Sequence, residues 1–179
     1  YIINEPTAAA LYFASEQKGN AGGIYAIYDL GGGTFDISII KLSGNDVEVL
    51  ATEGIHQLGG RDFDDVLTKL VNKKYKEMTG DDLEPEDFTP NDAEDLKKSL
   101  TDRESIKVRI NRNNIEVSRS EFEEGISAQI AQTEMLCESV LDEAELNASD
   151  IEEIILVGGS SRMPIIAKSV RKVFGKEAK

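Results

Sequence analysis

Cysteine and histidine are nearly absent from this sequence, which has one of each, Cys137 and His56. A single cysteine cannot form an intrachain disulfide, and it excludes a metal cluster held by several cysteines. A single histidine argues against a Ser-His-Asp hydrolase, and no other pair of nucleophile and base can be read from the sequence. Cys137 falls on the apolar face of a predicted helix and is interpreted as a buried structural thiol. His56 is interpreted as a turn residue.

Positive charge is also scarce, since 20 lysines and arginines stand against 34 acidic residues, for a net charge of −14. An acidic surface repels phosphate backbones and anionic lipids, so neither nucleic acid nor a membrane is expected as a partner. No run of 18 or more apolar residues occurs, so we expect no membrane span. The first residues also lack the pattern of a signal peptide. We therefore expect a reducing, cytoplasmic setting, with an organellar matrix as the alternative.

Three consecutive glycines, Gly31 to Gly33, stand between two apolar runs at 24–28 and 37–42. This pattern predicts a strand, a tight turn and a second strand. Glycine permits positive φ and a close approach to a ligand, so that backbone amides can converge on an anion. A P-loop is excluded, because the sequence G-x-x-x-x-G-K-S/T does not occur in the chain.

The residues around these glycines suit phosphate and metal chemistry. Thr34 has a hydroxyl that can contact a terminal phosphate, and Asp29 and Asp36 have carboxylates that can hold a metal ion or its water. A flexible turn is the alternative interpretation. A hairpin tip needs only one or two residues with positive φ, so the third glycine favours a nucleotide-binding turn.

The hydrophobic pattern divides the chain into a sheet-forming part and an insert. Helices are predicted at about 6–17, 62–79, 91–100, 118–146 and 165–174, three strands within 24–52, one strand at 154–157, and a hairpin of 106–110 with 115–117. The hairpin is predicted to turn at Asn113-Asn114, and Ser118 with Glu121 is typical of a capping box that opens the long helix. Residues 59–126 are thus predicted to be a helix-rich insert, with a cleft between two subdomains.

A second glycine pair, Gly158-Gly159, follows the predicted strand at 154–157 and precedes a helix that Pro164 is suited to begin. Amides and the positive end of a helix dipole at such a loop favour an anion. Arg162 has a planar guanidinium that can stack on a base. The alternative interpretation is a plain turn from strand to helix with a solvated arginine.

Two further candidates lie in the insert. The spacing of Lys97 and Lys98, with Glu94 one turn earlier, favours a solvated helix face, and a contact with the ribose or phosphate of a ligand is the alternative. The pair Gly59-Gly60 fits a plain loop before a helix, in which acidic residues such as Asp64 favour the dipole.

Four stretches occur in order and together resemble one family. They are Ile2-Ile3-Asn4-Glu5-Pro6-Thr7-Ala8-Ala9-Ala10, the stretch from Asp29 to Asp36, Leu58-Gly59-Gly60-Arg61-Asp62-Phe63-Asp64, and the stretch from Val157 to Pro164. The chain thereby resembles the 70-kDa heat-shock chaperones of the DnaK type over nearly its whole length. The resemblance implies an α/β fold, the actin-like ATPase (ribonuclease H-like) lobe with a helix-plus-hairpin insert subdomain. Residues 19–58 and 127–179 would form subdomain IIA, 59–126 subdomain IIB, and 1–18 the end of a helix that crosses from a first lobe.

The resemblance also implies a role for individual residues, with ATP or ADP, Mg²⁺ and K⁺ as the bound groups. Glu5, Asp29 and Thr34 would be catalytic, with Glu5 placing water near the metal, Asp29 holding Mg²⁺ through its hydration shell, and Asp36 holding a monovalent cation. Gly31, Gly32, Gly33 and Thr34 would surround the β- and γ-phosphates, and Gly59 and Gly60 would approach the phosphates or ribose. Glu94, Lys97, Lys98 and Thr101 would line the nucleoside side, and Gly158, Gly159, Ser160 and Arg162 would form the adenosine loop.

The sequence also departs from the family pattern. Arg61 stands where the family usually has Glu, Lys98 where Arg is common, and Met163 where Ile is usual. Tyr1 begins within an apolar run, and the family's first phosphate hairpin, catalytic lysine, linker and peptide-binding domain have no counterpart in the sequence. We therefore expect a lobe II fragment that is not competent for ATP hydrolysis by itself.

For the intact protein, the resemblance implies an ATPase that binds unfolded peptides and works with a J-domain co-chaperone. A nucleotide-exchange factor would bind the insert subdomain. Two alternatives remain. The lobe would serve as a docking module for such a factor, or the chain would belong to another actin-like ATPase or kinase.

Overall fold

A computed structural model of the protein describes residues 5–16, 22–44 and 46–179, and of residues 5 and 14–16 it describes the backbone only. The helices are α1 (Glu5–Glu16), α2 (Gly60–Thr79), α3 (Pro90–Asp102), α4 (Arg119–Gly125), α5 (Ser127–Glu143) and α6 (Pro164–Phe174). The strands are β1 (Gly22–Leu30), β2 (Phe35–Ser43), β3 (Asp46–Ile55), β4 (Ser105–Ile110), β5 (Asn113–Ser118) and β6 (Glu153–Val157). No helix within the described ranges is long and apolar enough to cross a bilayer.

The chain divides into two units. One consists of Tyr1–Gly59 and Ile130–Lys179, and we call it the sheet unit. The other is Gly60–Gln129, which we call the insert unit. The assignment of these parts to the subdomains of an ATPase stays a prediction, and residues 1–4, 17 and 18 of the predicted 1–18 segment lie outside the described residues.

The sheet unit is built on a mixed four-stranded sheet in the order β3-β2-β1-β6. β1 pairs antiparallel with β2 through the short glycine turn, and parallel with β6. A parallel pair needs a long crossover connection, and here that connection contains the whole insert unit. The prediction of an α/β fold is confirmed.

Helix α1 covers part of one face of this sheet. Ala10 of α1 belongs to a buried apolar cluster with Tyr25, Ile27, Ile40, Leu42 and Ile155. Because side chains alternate along a strand, Asp29 and Asp36 lie on the same face as this cluster, closer to the glycine turn. One face of the sheet is therefore apolar beneath α1 and carries two carboxylates near the hairpin tip.

The opposite face of the sheet packs against α5. The Tyr28 hydroxyl donates a hydrogen bond to Thr133 Oγ1 over 3.1 Å, and the Thr133 hydroxyl donates to the carbonyl of Ile130 over 2.7 Å. Cys137, one turn farther along α5, is 1% exposed, and burial raises the pKa of its thiol. The interpretation of Cys137 as a buried thiol is confirmed.

The insert unit packs α2 against α3 and adds the β4-β5 hairpin and α4. The facing side chains are apolar at helical spacing and fully buried: Phe63, Leu67, Val71, Ala93 and Leu100. Capping boxes begin α3 at Thr89 and α4 at Ser118, and each is closed by an acidic residue three positions later. The prediction of a capping box at Ser118 is confirmed.

The β4-β5 hairpin turns at Asn111 and Arg112, so the prediction of a turn at Asn113-Asn114 is wrong. The φ angles of Asn111 and Arg112 are 47° and 68°, and Ile110 pairs with Asn113 across the strands. A two-residue loop with both φ angles positive matches the natural twist of a hairpin. Asn113 and Asn114 extend β5 instead.

The helix predicted from 118 to 146 is interrupted, and it forms α4 and α5. The break lies at Ile126, which is fully buried and has φ −101° and ψ 4°. A Cβ on the preceding Gly125 would lie 2.8 Å from Val66 Cγ1, so α4 approaches α2 closely at this glycine. Tertiary packing of Gly125 and Ile126 therefore overrides a helical pattern that continues through the break.

Candidate functional site

Asp29 and Asp36 are directly opposed on β1 and β2. Directly opposed residues of an antiparallel pair project from the same face, and like charges at this distance repel. Both residues are half-buried. Two carboxylates in this arrangement suit a cation that lowers their repulsion. Within the described residues, no group of three or more potential metal ligands is close enough to hold an ion by itself.

The glycine turn between these strands is held by a hydrogen bond from the Gly31 amide to the Thr34 carbonyl, at 3.1 Å. None of the glycines from Gly31 to Gly33 has a positive φ, so the turn does not require glycine for that reason. Gly32 instead faces open space, with no atom within 4 Å of an added Cβ. These glycines therefore leave the turn without side chains, and they do not give it an unusual backbone conformation.

Gly59 packs directly onto the glycine turn. A Cβ on Gly59 would lie 2.5 Å from the Gly33 nitrogen and 2.8 Å from the Gly32 carbonyl carbon. The Leu58 amide donates a hydrogen bond to the Gly33 carbonyl at 3.2 Å. Only glycine fits at position 59, because the atoms that a side chain would meet belong to the backbone.

Gly158 packs onto the same hairpin from β6. Its φ is +89°, and an added Cβ would lie 2.3 Å from the Leu30 carbonyl oxygen and 3.0 Å from Asp29 Oδ1. The Ser160 hydroxyl donates a hydrogen bond to the Gly31 carbonyl at 3.1 Å. The predicted glycine segments at 31–33, 59 and 158 therefore come together in the sheet unit, although Gly33 and Gly158 are 125 positions apart in the sequence.

The loop after β6 opens onto a cavity of about 540 Å³. Its lining consists of Leu156, Gly158, Gly159, Ser161, Arg162 and Lys179. The segment Gly159–Arg162 is a 3₁₀ turn, and α6 begins at Pro164, as predicted. The volume lies in the range that small-molecule sites occupy. Arg162, a predicted ligand of the base, is exposed at this cavity.

The two neighbouring lysines of α3 have different environments. Lys98 is exposed and forms an ion pair with Glu94 at 2.8 Å, and its contact with Glu94 raises the pKa of Lys98. Lys97 is 8% exposed, and its Nζ lies 2.8 Å from Asp64 Oδ1. The interpretation of these lysines as part of a solvated helix face is correct for Lys98. It is wrong for Lys97, because α2 packs over the side of α3 on which Lys97 lies.

The other predicted residues of the insert unit and of α1 are placed as follows. The Thr101 hydroxyl donates a hydrogen bond to the carbonyl of Lys97 at 3.3 Å, within α3. Gly60 is buried and is the first residue of α2. Glu5 is the first residue of α1, and its side chain lies outside what the structure describes.

Gly54 and Ser161 were not singled out from the sequence, and Asp64 was named only for its effect on a helix dipole. An added Cβ on Gly54 of β3 would lie 2.4 Å from Asp36 Oδ1, so this glycine makes room for the carboxylate. A lone glycine within a predicted strand is the signal that could have found it. Ser161 donates a hydrogen bond to the Gly158 carbonyl at 2.6 Å. Burial raises the pKa of Asp64, although the ion pair with Lys97 acts in the opposite direction.

Comparisons with known proteins agree with these motifs. A family model described as "Hsp70 protein" matches residues 1–179. A chaperone protein HscA homolog of Histophilus somni (strain 129Pt) is 39% identical over 173 residues, which are 97% of this chain and 28% of that protein. The chaperone protein HscA of Enterobacter sp. (strain 638) is 37% identical over 175 residues, which are 98% of this chain and 28% of that protein.

The chain thus spans 28% of the length of these curated relatives. The match to the family model covers the whole sequence, and two relatives exceed 35% identity over almost all of it. The chain belongs to the Hsp70 protein family.

Proposed function

We propose that this chain is the second lobe of the ATP-binding domain of an Hsp70-family chaperone, with the actin-like fold. In the intact protein, it would provide one side of an adenine nucleotide site. The packing of Gly59 and Gly158 onto the Asp29–Thr34 hairpin is the observation that carries this proposal. Three separate segments lack side chains at the same place, which suits a ligand that the backbone approaches closely.

The phosphates would lie at the glycine turn. Amides of Gly31 to Gly33 and the Thr34 hydroxyl are proposed to surround the β- and γ-phosphates, and Gly60 to approach them or the ribose. Backbone amides cost no reorganisation when charge develops on the phosphates, so they stabilise the transition state of phosphoryl transfer. Glu5 is proposed to place water for the same reaction.

The carboxylate pair fits a hydrated cation. Mg²⁺ keeps several waters and is usually held by one or two carboxylates together with substrate phosphates. Asp29 is proposed to hold Mg²⁺ through the water molecules of the ion. Asp36 is proposed to hold a monovalent cation such as K⁺, and the absence of a side chain at Gly54 leaves room for its carboxylate. The cations would neutralise charge on the phosphates.

The adenosine would lie at the cavity after β6. Gly158, Gly159 and Ser160 are proposed to form its wall, and Arg162 to stack on the base. Four residues of the insert unit are proposed as contacts of the nucleoside: Glu94, Lys97, Lys98 and Thr101. Lys98 is exposed and flexible, so it can reach a ligand after giving up its ion pair with Glu94.

The intact protein is proposed to couple ATP binding and hydrolysis to the binding of unfolded peptides. Its partners would be a J-domain co-chaperone and a nucleotide-exchange factor. This chain alone is expected not to hydrolyse ATP, because the catalytic lysine and the first phosphate hairpin of the family are not in its sequence.

The test is ATP turnover by the full-length gene product and by the 179-residue chain. We expect turnover by the full-length protein, a loss of about tenfold or more on Thr34→Ala, and none by the chain alone. A full-length protein without ATPase activity would contradict the proposed reaction. Turnover by the 179-residue chain that Thr34→Ala abolishes would contradict the assignment to a single lobe.

A further inference from the structure

Gly54 of β3 leaves open the space into which the Asp36 side chain turns. The two residues are directly opposed on β3 and β2, so a side chain at position 54 would project from the same face of the sheet as Asp36. An added Cβ on Gly54 would lie 2.4 Å from Asp36 Oδ1 and 3.2 Å from Asp36 Cγ. The Asp36 carboxylate thus occupies the position that a side chain of residue 54 would need.

The Asp29 carboxylate turns toward the opposite side of the sheet. Asp29 Oδ1 lies 3.0 Å from the position of an added Cβ on Gly158, the residue that follows β6. In the sheet, β3 and β6 flank the pair of β2 and β1 on opposite sides. One oxygen of each carboxylate therefore lies beside a flanking glycine, away from the other carboxylate. Such a separation lowers the repulsion between two like charges.

The backbone of Gly54 does not itself require glycine, because its φ lies outside the left-handed region. The atom nearest to an added Cβ, Asp36 Oδ1, is the end of a side chain that can rotate, and the next is the Phe35 carbonyl oxygen at 3.0 Å. An alanine at position 54 would therefore displace the Asp36 carboxylate before it displaces the strand. Because side chains occupy only a few staggered rotamers, this carboxylate would turn away from β3 and toward Asp29.

The separation of the two carboxylates bears on which ion they bind. Carboxylates that converge on one point favour a divalent ion, because affinity for such an ion depends on the number of charged ligands. A single carboxylate offers one charge, which suits a monovalent ion that completes its shell with other oxygens. We propose that Gly54 is a specificity-determining residue of the cation site, which keeps Asp36 on the β3 side and thereby leaves it to a monovalent ion. The inference rests on the proposed nucleotide and cation site.

The first experiment compares Gly54→Ala with the matched control Gly22→Ala in the full-length gene product. Gly22 lies at the far end of the same sheet, where an added Cβ would be 4.0 Å from the Leu42 carbonyl oxygen. Calorimetry measures ADP binding with Mg²⁺ present, while choline chloride replaces KCl at constant ionic strength. We expect Gly54→Ala to raise the K⁺ concentration that half-maximally strengthens ADP binding about tenfold, and Gly22→Ala to leave it unchanged. An unchanged K⁺ dependence in Gly54→Ala would overturn the inference.

The second experiment measures a gain that a loss of stability cannot produce. Mn²⁺ is titrated into the protein without nucleotide, and the free ion is followed by electron paramagnetic resonance. We expect Mn²⁺ to bind Gly54→Ala about fivefold more tightly than the unaltered protein, because Asp36 then joins Asp29 as a ligand. The gain should be absent from Gly22→Ala and from the double variant Gly54→Ala/Asp36→Asn. Mn²⁺ binding that Gly54→Ala does not strengthen, or a gain that persists without the Asp36 carboxylate, would overturn the inference.

The melting temperatures of the two glycine variants test the order of displacement. We expect Gly54→Ala and Gly22→Ala to melt at similar temperatures, because the alanine at position 54 moves a side chain and not the strand. A Gly54→Ala protein that melts far below Gly22→Ala, or does not fold, would show that the sheet gives way first, and it would overturn the inference.

The two proposals fail in different ways. An unaltered protein that binds no ADP would refute the proposed function, and the inference with it. An unaltered protein that binds ADP and responds to K⁺, together with a Gly54→Ala variant that has the same K⁺ and Mn²⁺ dependence, would refute the inference alone.

Discussion

Asp29 and Asp36 are opposed on neighbouring strands, and both carboxylates project from the face of the sheet that α1 covers in part. A directly opposed pair of like charges destabilises an antiparallel pair of strands. A cation bound beside the glycine turn would offset the repulsion between two such carboxylates.

Removing one charge of this pair should stabilise the chain in the absence of cations. We expect Asp36→Asn to raise the free energy of unfolding by about 0.5 kcal/mol in buffer without Mg²⁺ and K⁺, because the repulsion disappears. We expect the two cations to stabilise the unaltered chain, and we expect this variant to lose that stabilisation. Urea unfolding with and without the two salts measures both effects. Asp46→Asn, at an exposed position of β3, is the control, and equal responses of the two variants would contradict the prediction.

The stability of the sheet unit should fall at alkaline pH through Tyr28. Burial raises the pKa of Tyr28 above its ordinary value of 10, so the unfolded chain loses this proton at a lower pH than the folded chain does. The folded state therefore loses about 1.4 kcal/mol per pH unit from this group as the pH rises above about 10. Below that pH, the group contributes no pH dependence.

The variant Tyr28→Phe tests this expectation. It removes the hydrogen bond to Thr133 and costs about 1 kcal/mol at neutral pH, but it should make the decline above pH 10 shallower. Urea unfolding at several pH values provides the measurement. Tyr12→Phe is the control, because that ring is 70% exposed. A slope in Tyr28→Phe equal to that of the unaltered chain would contradict the assignment.

The sequence predicted the elements around the site well because the signals there are local. Apolar runs separated by glycines predict β1 and β2, and the strand before Gly158 has a continuous apolar pattern. Gly158, with φ +89°, is a position that glycine alone tolerates easily, so the residue type itself carries the information. The order of the glycine motifs then indicated the family.

The sequence could not predict features that depend on a distant neighbour. The helical pattern breaks at Ile126, directly after the glycine at which α4 approaches Val66, and nothing near Gly125 in sequence reveals that contact. Lys97 and Lys98 are chemically alike and adjacent, so only the position of α2 decides which one is buried. The hairpin turn at Asn111-Arg112 was missed because Asn113-Asn114 is an equally plausible turn by composition.

The end of α3 should depend on Arg119. Arg119 Nε donates to the Leu100 carbonyl at 2.6 Å, and Nη2 donates to the Thr101 carbonyl at 3.1 Å. These carbonyls lie in the last turn of the helix, where no backbone amide of the helix is available and a positive charge is favourable. We expect Arg119→Ala to lower the free energy of unfolding by about 2 kcal/mol.

A lysine at this position should restore only part of that loss, because an ammonium lacks the planar fork of donors. Urea unfolding of Arg119→Ala, Arg119→Lys and the control Arg109→Ala, at an exposed position of β4, measures the three effects. Equal stability of Arg119→Ala and Arg109→Ala would show that the two hydrogen bonds contribute nothing.

Gly158 should be the glycine of the site least tolerant of a side chain. Gly158→Ala places a Cβ 2.3 Å from the Leu30 carbonyl oxygen and imposes a positive φ on alanine. Either problem alone is costly, and we expect a loss of at least about 2 kcal/mol in the free energy of unfolding. Gly159→Ala is the stability control, since an added Cβ there meets no atom within 4 Å.

Because β6 must move away from Leu30 to admit the alanine at position 158, the cavity after β6 changes shape, and ADP binding by the full-length protein should fall below detection. A Gly158→Ala protein that is as stable as Gly159→Ala and binds ADP normally would show that Gly158 does not have to pack against Leu30 and Asp29.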